Sequence, residues 1–257
     1  MASAERNRRD ATGDGFAIEP ELASAIDRAA EWVRGTSHLM ALTGAGLSVE
    51  SGIPPFRGPG GLWTKYGEPP MDGYQRFLAD PAAAWRERLE PKEPWARGLR
   101  DTLAAARPNA GHRAVLEIHG NHRLLRCMGC HTRFDPQRFP VDPERLPPTC
   151  PECGGLVKGD TVQFGEPIPP DVLRRCYEEV ERCDGMLVIG TTASVYPAAE
   201  LPYEVLRRGG FVVEVNPHES ELSHAASLSL RGPGGVVLTR LVERVRGARA
   251  ARPEDRS

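Results

Sequence analysis

No apolar run in this sequence approaches the ~20 residues that a membrane-crossing helix needs, so a spanning protein is not expected. The opening stretch "MASAERNRRDATGDG" lacks the apolar core of a secretory signal, which points to the cytoplasm. Lysine is nearly missing: of 33 basic residues only Lys65, Lys92 and Lys158 are lysine, an imbalance assigned to coding bias rather than function. Charge of either sign is not in excess. A net charge of −2 argues against a general affinity for nucleic acid or anionic membranes. There is no internal repeat and no low-complexity tract. Cysteine is sparse, six in 257 residues, yet four fall in two C-x-x-C pairs, a pattern that suggests metal before disulfides.

What is present is an ordinary globular composition, 40% hydrophobic and 26% charged. Residues 1–17 are polar and expected to be disordered, and 247–257 form a mobile tail. "EPELASAIDRAAEWVRG" carries Leu22, Ile26, Ala29, Ala30 and Val33 at helical spacing. "SHLMALTGAG", "GMLVIGTTA" and "GFVVEVN" read as short buried strands. Helices are expected near 74–90 and 93–107, and over "DVLRRCYEEVERC" and "AELPYEVLRRG". Residues 52–73 form a long loop, and "VVLTRLVERVRG" a short strand followed by a helix. Apolar strands separated by helices predict an α/β fold, a Rossmann-like parallel sheet with helices on both faces. Residues 126–159 change character and form a small zinc-ribbon module between the two parts of the main domain, 18–125 and 160–246. Such sheets bind ligands beyond the carboxyl ends of their strands. Three of those ends carry unusual residues: "TGAGLS", "IGTTAS" and "VNPHES".

At the first end a strand runs into Gly44-Ala45-Gly46, where small residues let backbone N–H groups approach a pyrophosphate. The third glycine of a dinucleotide fingerprint would fall on Val49, so a structural turn explains the bare G-x-G equally well. Beyond it, Ser48 and Ser51 offer hydroxyls, Pro54-Pro55 stiffens the chain, and Phe56-Arg57 sets an aromatic face beside a fixed cation. Cys127, Cys130, Cys150 and Cys153 have the spacing of a zinc site. Four thiolates fill a tetrahedral shell and leave no place for an activated water, so the metal is structural. His131 beside Cys130 is not needed as a ligand, and Cys176 and Cys183 read as buried filler. A lone histidine such as His119, at the end of an apolar strand, is more often structural than catalytic. Asn216 at a strand end is commonly a turn former.

Taken together, these residues resemble the sirtuins, NAD-dependent protein-lysine deacylases. The family signature G-A-G-x-S-x-x-S-G-I-P-x-F-R-G is matched by Gly44, Ala45, Gly46, Ser48, Ser51, Gly52, Ile53, Pro54, Phe56, Arg57 and Gly58, with Pro55 where the family usually carries Asp. Leu62-Trp63, "IHG" at 118–120, "FGE" at 164–166, "GTTASVYP" at 190–197 and "EVN" at 214–216 follow in the family's order. The resemblance covers about residues 20–245 and implies NAD as cofactor and structural zinc. It implies cofactor contacts from the signature residues, Trp63, Gly190, Thr191, Thr192, Ser194, Asn216 (adenine ribose) and Gly234. It makes His119 the catalytic base on a ribose hydroxyl. In the family's reaction the substrate's acyl oxygen attacks the ribose carbon bearing nicotinamide, nicotinamide leaves, and the acyl group ends on ADP-ribose. Gln163, Phe164, Gly165 and Glu166, with Val195 and Tyr196, resemble the segments that hold the acyl-lysine peptide as an added strand.

One family element has no room. Only six residues separate His112 from His119, whereas a helical crossover between parallel strands takes at least ~10–12. Sirtuins here complete a helix, enter a Thr-Gln-Asn-Ile-Asp motif and return through another helix. "PNAGHRA" and "VLEIHGN" are instead joined directly. The missing motif supplies the Asn and Asp around the nicotinamide end, so binding at the adenine half is expected to survive better than turnover. Two alternatives stand beside a deacylase: a catalytically impaired NAD- or ADP-ribose-binding pseudoenzyme, and a protein ADP-ribosyltransferase. No Tyr-x-x-Arg pair occurs, which favours acetyl or another uncharged acyl group over an acidic one. Nucleic acid and membrane are not expected as partners, and oligomeric state stays open.

Overall fold

The computed structural model describes residues 16–106 and 117–250. They fall into two compact units. One is drawn from residues 16–67, 106 and 176–250, the other from residues 68–105 and 117–175.

The first unit is built on four parallel strands, β1 (Leu39–Thr43), β5 (Gly185–Ile189), β6 (Phe211–Val215) and β7 (Leu228–Leu230), in the order β1-β5-β6-β7. Their register brings Thr43 beside Ile189, Ile189 beside Val215, and Val215 beside Leu230, so the four strands stop at one level. Helix α1 (Pro20–Gly35) and helix α8 (Gly234–Ala250) cover one face. There Ile26, Ala29, Ala30, Val237 and Leu241 pack on Ile189, Val213, Val215 and Leu230. The alternate residues Met186, Val188 and Val212 are equally buried on the other face, where α7 (Leu201–Arg207) packs against β5 and β6. This is the expected α/β architecture. Each fully buried aliphatic side chain contributes about 1.5–3 kcal/mol to it.

The second unit holds α3 (Gly73–Ala79), α4 (Pro81–Leu89), α5 (Pro94–Ala105) and an antiparallel sheet of order β3-β2-β4, formed by β2 (Leu125–Cys127), β3 (Arg133–Phe134) and β4 (Val157–Gly159). Phe77, Trp85, Leu125, Cys127, Cys150 and Val157 make its core, and the Trp85 indole N–H donates to the Val157 carbonyl at 2.8 Å. The unit therefore extends well beyond the cysteine-bearing stretch, taking in the three helices. Helix α6 (Pro170–Arg182) precedes β5.

Several elements differ from expectation. The helix anticipated over 74–90 is two, because Asp80 caps a new start: its carboxylate accepts the Ala83 N–H at 2.8 Å, and Pro81 opens α4. The loop 52–73 contains one helical turn, α2 (Leu62–Tyr66). "VVLTRLVERVRG" holds no strand, since Val237, Leu241 and Val245 recur at helical spacing and face the core; the last strand lies earlier, at Leu228–Leu230. Helix α8 also takes in residues 247–250 of the anticipated tail. Around His119, residues 118–119 form a turn rather than the end of a strand, while Val115 and Leu116 lie outside the described residues. The anticipated disorder of 1–15 and mobility of 251–257 fall outside them too.

Asp184 ties the start of β5 to the start of β1. Its carboxylate accepts Ser37 Oγ–H at 2.6 Å, Ser37 N–H at 2.8 Å and His38 N–H at 3.1 Å. The Ser37 hydroxyl chiefly, with the two amides, holds its pKa down to about 2. A folded-state pKa below the unfolded value gives stability that is present above the unfolded value and lost as pH falls through about 2. Asp184→Asn is therefore expected to lower stability at pH 7 and to flatten the acid limb of a melting-temperature profile between pH 5 and 2.

Candidate functional site

Because the strands end level, the next residues form a rim. Gly44 N–H donates to the Ile189 carbonyl and Gly46 N–H to the Gly190 carbonyl, both at 2.9 Å. A Cβ on Gly44 would stand 2.6 Å from the Gly190 oxygen, and one on Gly46 would stand 2.6 Å from Gly190 Cα. The glycine pair is thus demanded by close approach of two backbones, which decides for a structural requirement at Gly44 and Gly46. Ala45, Ser48 and Ser51 lie in the short 3-10 helix Ala45–Ser51 that follows. Asn216 donates from Nδ2 to the Thr191 carbonyl at 2.9 Å, Glu221 N–H to the Thr192 carbonyl at 3.2 Å, and Thr192 Oγ lies 2.8 Å from Ser194 Oγ. Gly234 opens α8 over Ile189. Three sequence-distant groups, Gly44-Gly46, Gly190-Ser194 and Asn216, converge as expected.

On the segment after Pro54, the Phe56 ring stacks on Trp63 with centroids 4.9 Å apart, and the Arg57 guanidinium lies 4.3 Å from the centre of the same indole. Backbone bonds from Leu62 to the Pro55 carbonyl and from Trp63 to the Phe56 carbonyl close this loop. Small side chains, hydroxyls, an amide and an aromatic group at strand ends suit an adenine dinucleotide, the ligand class that open parallel sheets take there.

His119 belongs to the second unit, as do Cys127, Cys130, Cys150, Cys153 and residues 163–166. Its carbonyl accepts Val162 N–H at 2.9 Å. The residue is exposed as a whole, but desolvation by the surrounding atoms lowers its pKa below the ordinary imidazole value. The next residue, Gly120, has φ +73, and a Cβ there would lie 2.1 Å from the Asp160 carbonyl oxygen, so only glycine fits. Asp160 is fully buried. It accepts Asn121 N–H at 2.9 Å and pairs with Arg133 at 3.0 Å and Arg126 at 3.4 Å. Arg126 also reaches Glu166 at 2.7 Å, and Lys158 lies 3.1 Å from the same carboxylate. Glu166 in turn accepts Gln163 N–H at 2.8 Å. The Glu166 side chain therefore points into this ion network and fixes the Gln163–Glu166 turn from within. Phe164 accepts Tyr74 N–H at 3.0 Å, and Gly165 sits against Gln75. Val195 and Tyr196, in the first unit, are both exposed. Sequence reasoning missed Asp160, Glu214 and Arg231. A lone acid inside the apolar run "FVVEV" was the available signal for Glu214.

The Sγ atoms of Cys127, Cys130, Cys150 and Cys153 all lie within 4.8 Å of one another, with Cys127–Cys153 at 3.4 Å and Cys130–Cys150 at 3.7 Å. A disulfide would need about 2.05 Å. Tetrahedral zinc with Zn–S of about 2.3 Å separates its sulfurs by about 3.8 Å, so the cluster fits the metal. Cys130 is drawn down to about 6, chiefly by hydrogen bonding with Thr132. Cys153 goes up to about 12: a backbone hydrogen bond at Gly155 lowers it, but the Cys127 and Cys130 thiols outweigh that. Four sulfurs this close do not all ionise without a cation, and a divalent metal removes the conflict. His131 adopts φ +61 and stands outside the four-sulfur group.

A parallel α/β sheet with a glycine-lined rim, joined in one chain to a tetrathiolate module, defines a nucleotide-binding protein with a structural metal. The Sir2 family model matches residues 44–114 and again 101–197. The NAD-dependent protein deacylase 1 of Archaeoglobus fulgidus is 38% identical over 242 residues, covering 83% of this chain and 95% of the relative. The NAD-dependent protein deacylase of Thermococcus kodakarensis is 36% identical over 253 residues, 88% of this chain and 98% of the relative. Among solved structures, a Sir2 homologue bound to ADP-ribose superposes with a TM-score of 0.69 at 35% identity, covering 91% of this chain and 99% of the other. A Sir2 homologue–NAD complex gives 0.67 at 36%, covering 91% and 96%. The chain belongs to the Sir2 family. Both pieces of the family match lay claim to residues 101–114, as happens where the family sequence between them has no counterpart.

Gly44→Ala is expected to cost about 1–3 kcal/mol through overpacking, read from chemical denaturation. Gly35→Ala, where a Cβ meets nothing within 4 Å, serves as its control and should be close to neutral. Native mass spectrometry should find one zinc per chain. Its removal by a chelator should unfold the region around Trp85 and change tryptophan fluorescence.

Proposed function

We propose that this chain is an NAD-dependent protein-lysine deacylase, preferring acetyl or another uncharged acyl group, that works in the cytoplasm. The observation that carries the reading is the convergence of Gly44-Gly46, Gly190-Thr192 and Asn216 at level strand ends in a member of this family. NAD, when bound, would supply a ribose carbon with nicotinamide as leaving group, and the remaining ADP-ribose would take the acyl group, which makes the reaction a transfer. Ser48, Ser51, Phe56, Arg57 and Trp63, with the rim and Gly234, hold the cofactor. Gln163 to Glu166, with Val195 and Tyr196, hold the acyl-lysine peptide. Residues 126–159 act as the zinc module and take no part in the chemistry.

His119 takes a proton from a ribose hydroxyl. Its lowered pKa leaves it neutral, and so able to accept a proton, at pH 7 and somewhat below the usual imidazole range. No helix among the described residues is long and apolar enough to cross a membrane.

A second reading, a binding protein with impaired turnover, is favoured by one specific observation. The chain has no room for the Asn- and Asp-bearing segment between His112 and His119, and the family model matches in two overlapping pieces there. One pair of experiments separates the readings on zinc-loaded protein. Calorimetry with ADP-ribose should give binding in wild type and in His119→Ala alike. Multiple-turnover nicotinamide release with an acetyl-lysine peptide should be measurable but slow in wild type, and held to at most about one equivalent per chain in His119→Ala, because the proton transfer follows nicotinamide departure. In wild type it should hold constant as the pH falls to the ordinary imidazole value and drop only below it. Absence of heat with both NAD and ADP-ribose would remove the deacylase and binding readings together. Release at rates usual for the family would remove the second alone.

A further inference from the structure

Strand β6 is apolar except at Glu214, which is 1% exposed and stands among Val212, Val213 and Val215. A buried carboxylate is costly unless several donors surround it, and exchange for an aliphatic residue of similar volume often stabilises a core. A glutamate at this place therefore needs an account beyond packing.

Every donor to it comes from the stretch that leaves β6 and returns through β7. Ser220 Oγ–H donates to one carboxylate oxygen. The other accepts Ser223 Oγ–H at 2.8 Å and Ser229 Oγ–H at 2.9 Å, and pairs with Arg231 at 2.8 Å. Ser229 is the residue directly opposite Glu214 in the ladder. Arg231 then reaches onward. Nη1 donates to the His218 carbonyl at 3.0 Å and more weakly to that of Asn216 at 3.4 Å, and Nη2 donates to Ser223 Oγ at 2.8 Å. The Ser220 N–H also donates to Ser223 Oγ at 2.8 Å. The loop from Asn216 to Ser223 is thus held by one buried charge. Asn216 passes that order to the Thr191 carbonyl, the neighbouring part of the rim. Burial alone would push the Glu214 pKa up, but the three serine hydroxyls and Arg231 bring it below the usual value, so it stays a carboxylate at working pH.

We infer that Glu214 is the positioning residue of the dinucleotide site, fixing Asn216 and the 216–223 loop so that they meet the adenine ribose, and thereby setting affinity for an ADP-ribose-type ligand rather than the rate of acyl transfer. This rests on the nucleotide-binding reading proposed above. Glu214 touches no ligand itself.

The test is ADP-ribose calorimetry on the zinc-loaded full chain, with wild type, Glu214→Gln, Asn216→Ala and the double variant. Glu214→Gln should weaken binding about tenfold, the scale of a hydrogen bond to a charged group, with zinc content and circular dichroism unchanged. In the Asn216→Ala background the same substitution should add little, because its effect runs through Asn216. A merely structural role would instead give losses that multiply. Ser229→Ala keeps the charge and removes one donor; it should give a smaller loss and carries the test if Glu214→Gln does not fold. Unchanged affinity in Glu214→Gln, or in Ser229→Ala where that variant stands in, overturns the proposal, as do multiplicative losses. If wild type itself gives no heat with ADP-ribose, the nucleotide reading fails and the proposal falls with it. Binding by wild type with no effect of the variants sinks the positioning role alone.

Discussion

The rim at the strand ends depends on two backbones meeting without side chains between them. Gly44 and Gly46 lie against Gly190 and Thr191 at distances that no Cβ could share. That contact is possible only because β1 and β5 run parallel and finish in register, with Thr43 beside Ile189. Hydrophobic burial by α1, α7 and α8 fixes the strands, the strands fix their ends, and the ends fix which loops touch. Chemistry enters last, as hydroxyls, an amide and an aromatic group on loops whose courses are already decided.

The second unit solves a comparable problem by different means. It has a small core and a short sheet, so it relies on a thiolate cluster and on buried ion pairs. Asp160 and Glu166 are each satisfied by more than one partner, and between them they fix the turn of His119 and the turn of Gln163–Glu166. Such pairs contribute little net stability against an apolar core. What they do contribute is geometry, since a charge with several fixed donors tolerates few arrangements.

Much of this was legible in the residue order. Apolar strands between helices gave the sheet, and two C-x-x-C pairs gave the thiolate cluster, because both signals are local or simply spaced. The "TGAG" and "GTT" stretches announced close approach without saying to what; only the fold shows that they approach each other. Periodicity misplaced the last strand because Val236-Val237-Leu238 reads as either element until Leu241 and Val245 are seen to share a face with Val237. The ionic contacts were hidden for a different reason. Asp160 and Arg126 are ordinary in sequence, and their partners come from segments that local patterning cannot connect.

Arg126 and Lys158 sit one residue from Cys127 and Val157 on paired strands of the sulfur-bearing sheet. Their placement therefore follows the coordination of a metal that performs no step of the reaction. Demetallation would slacken the strand pair, release the cations from Asp160 and Glu166, and let the histidine turn drift. Chelation or thiol oxidation at the cluster would thus reach a histidine turn that contributes no ligand to it.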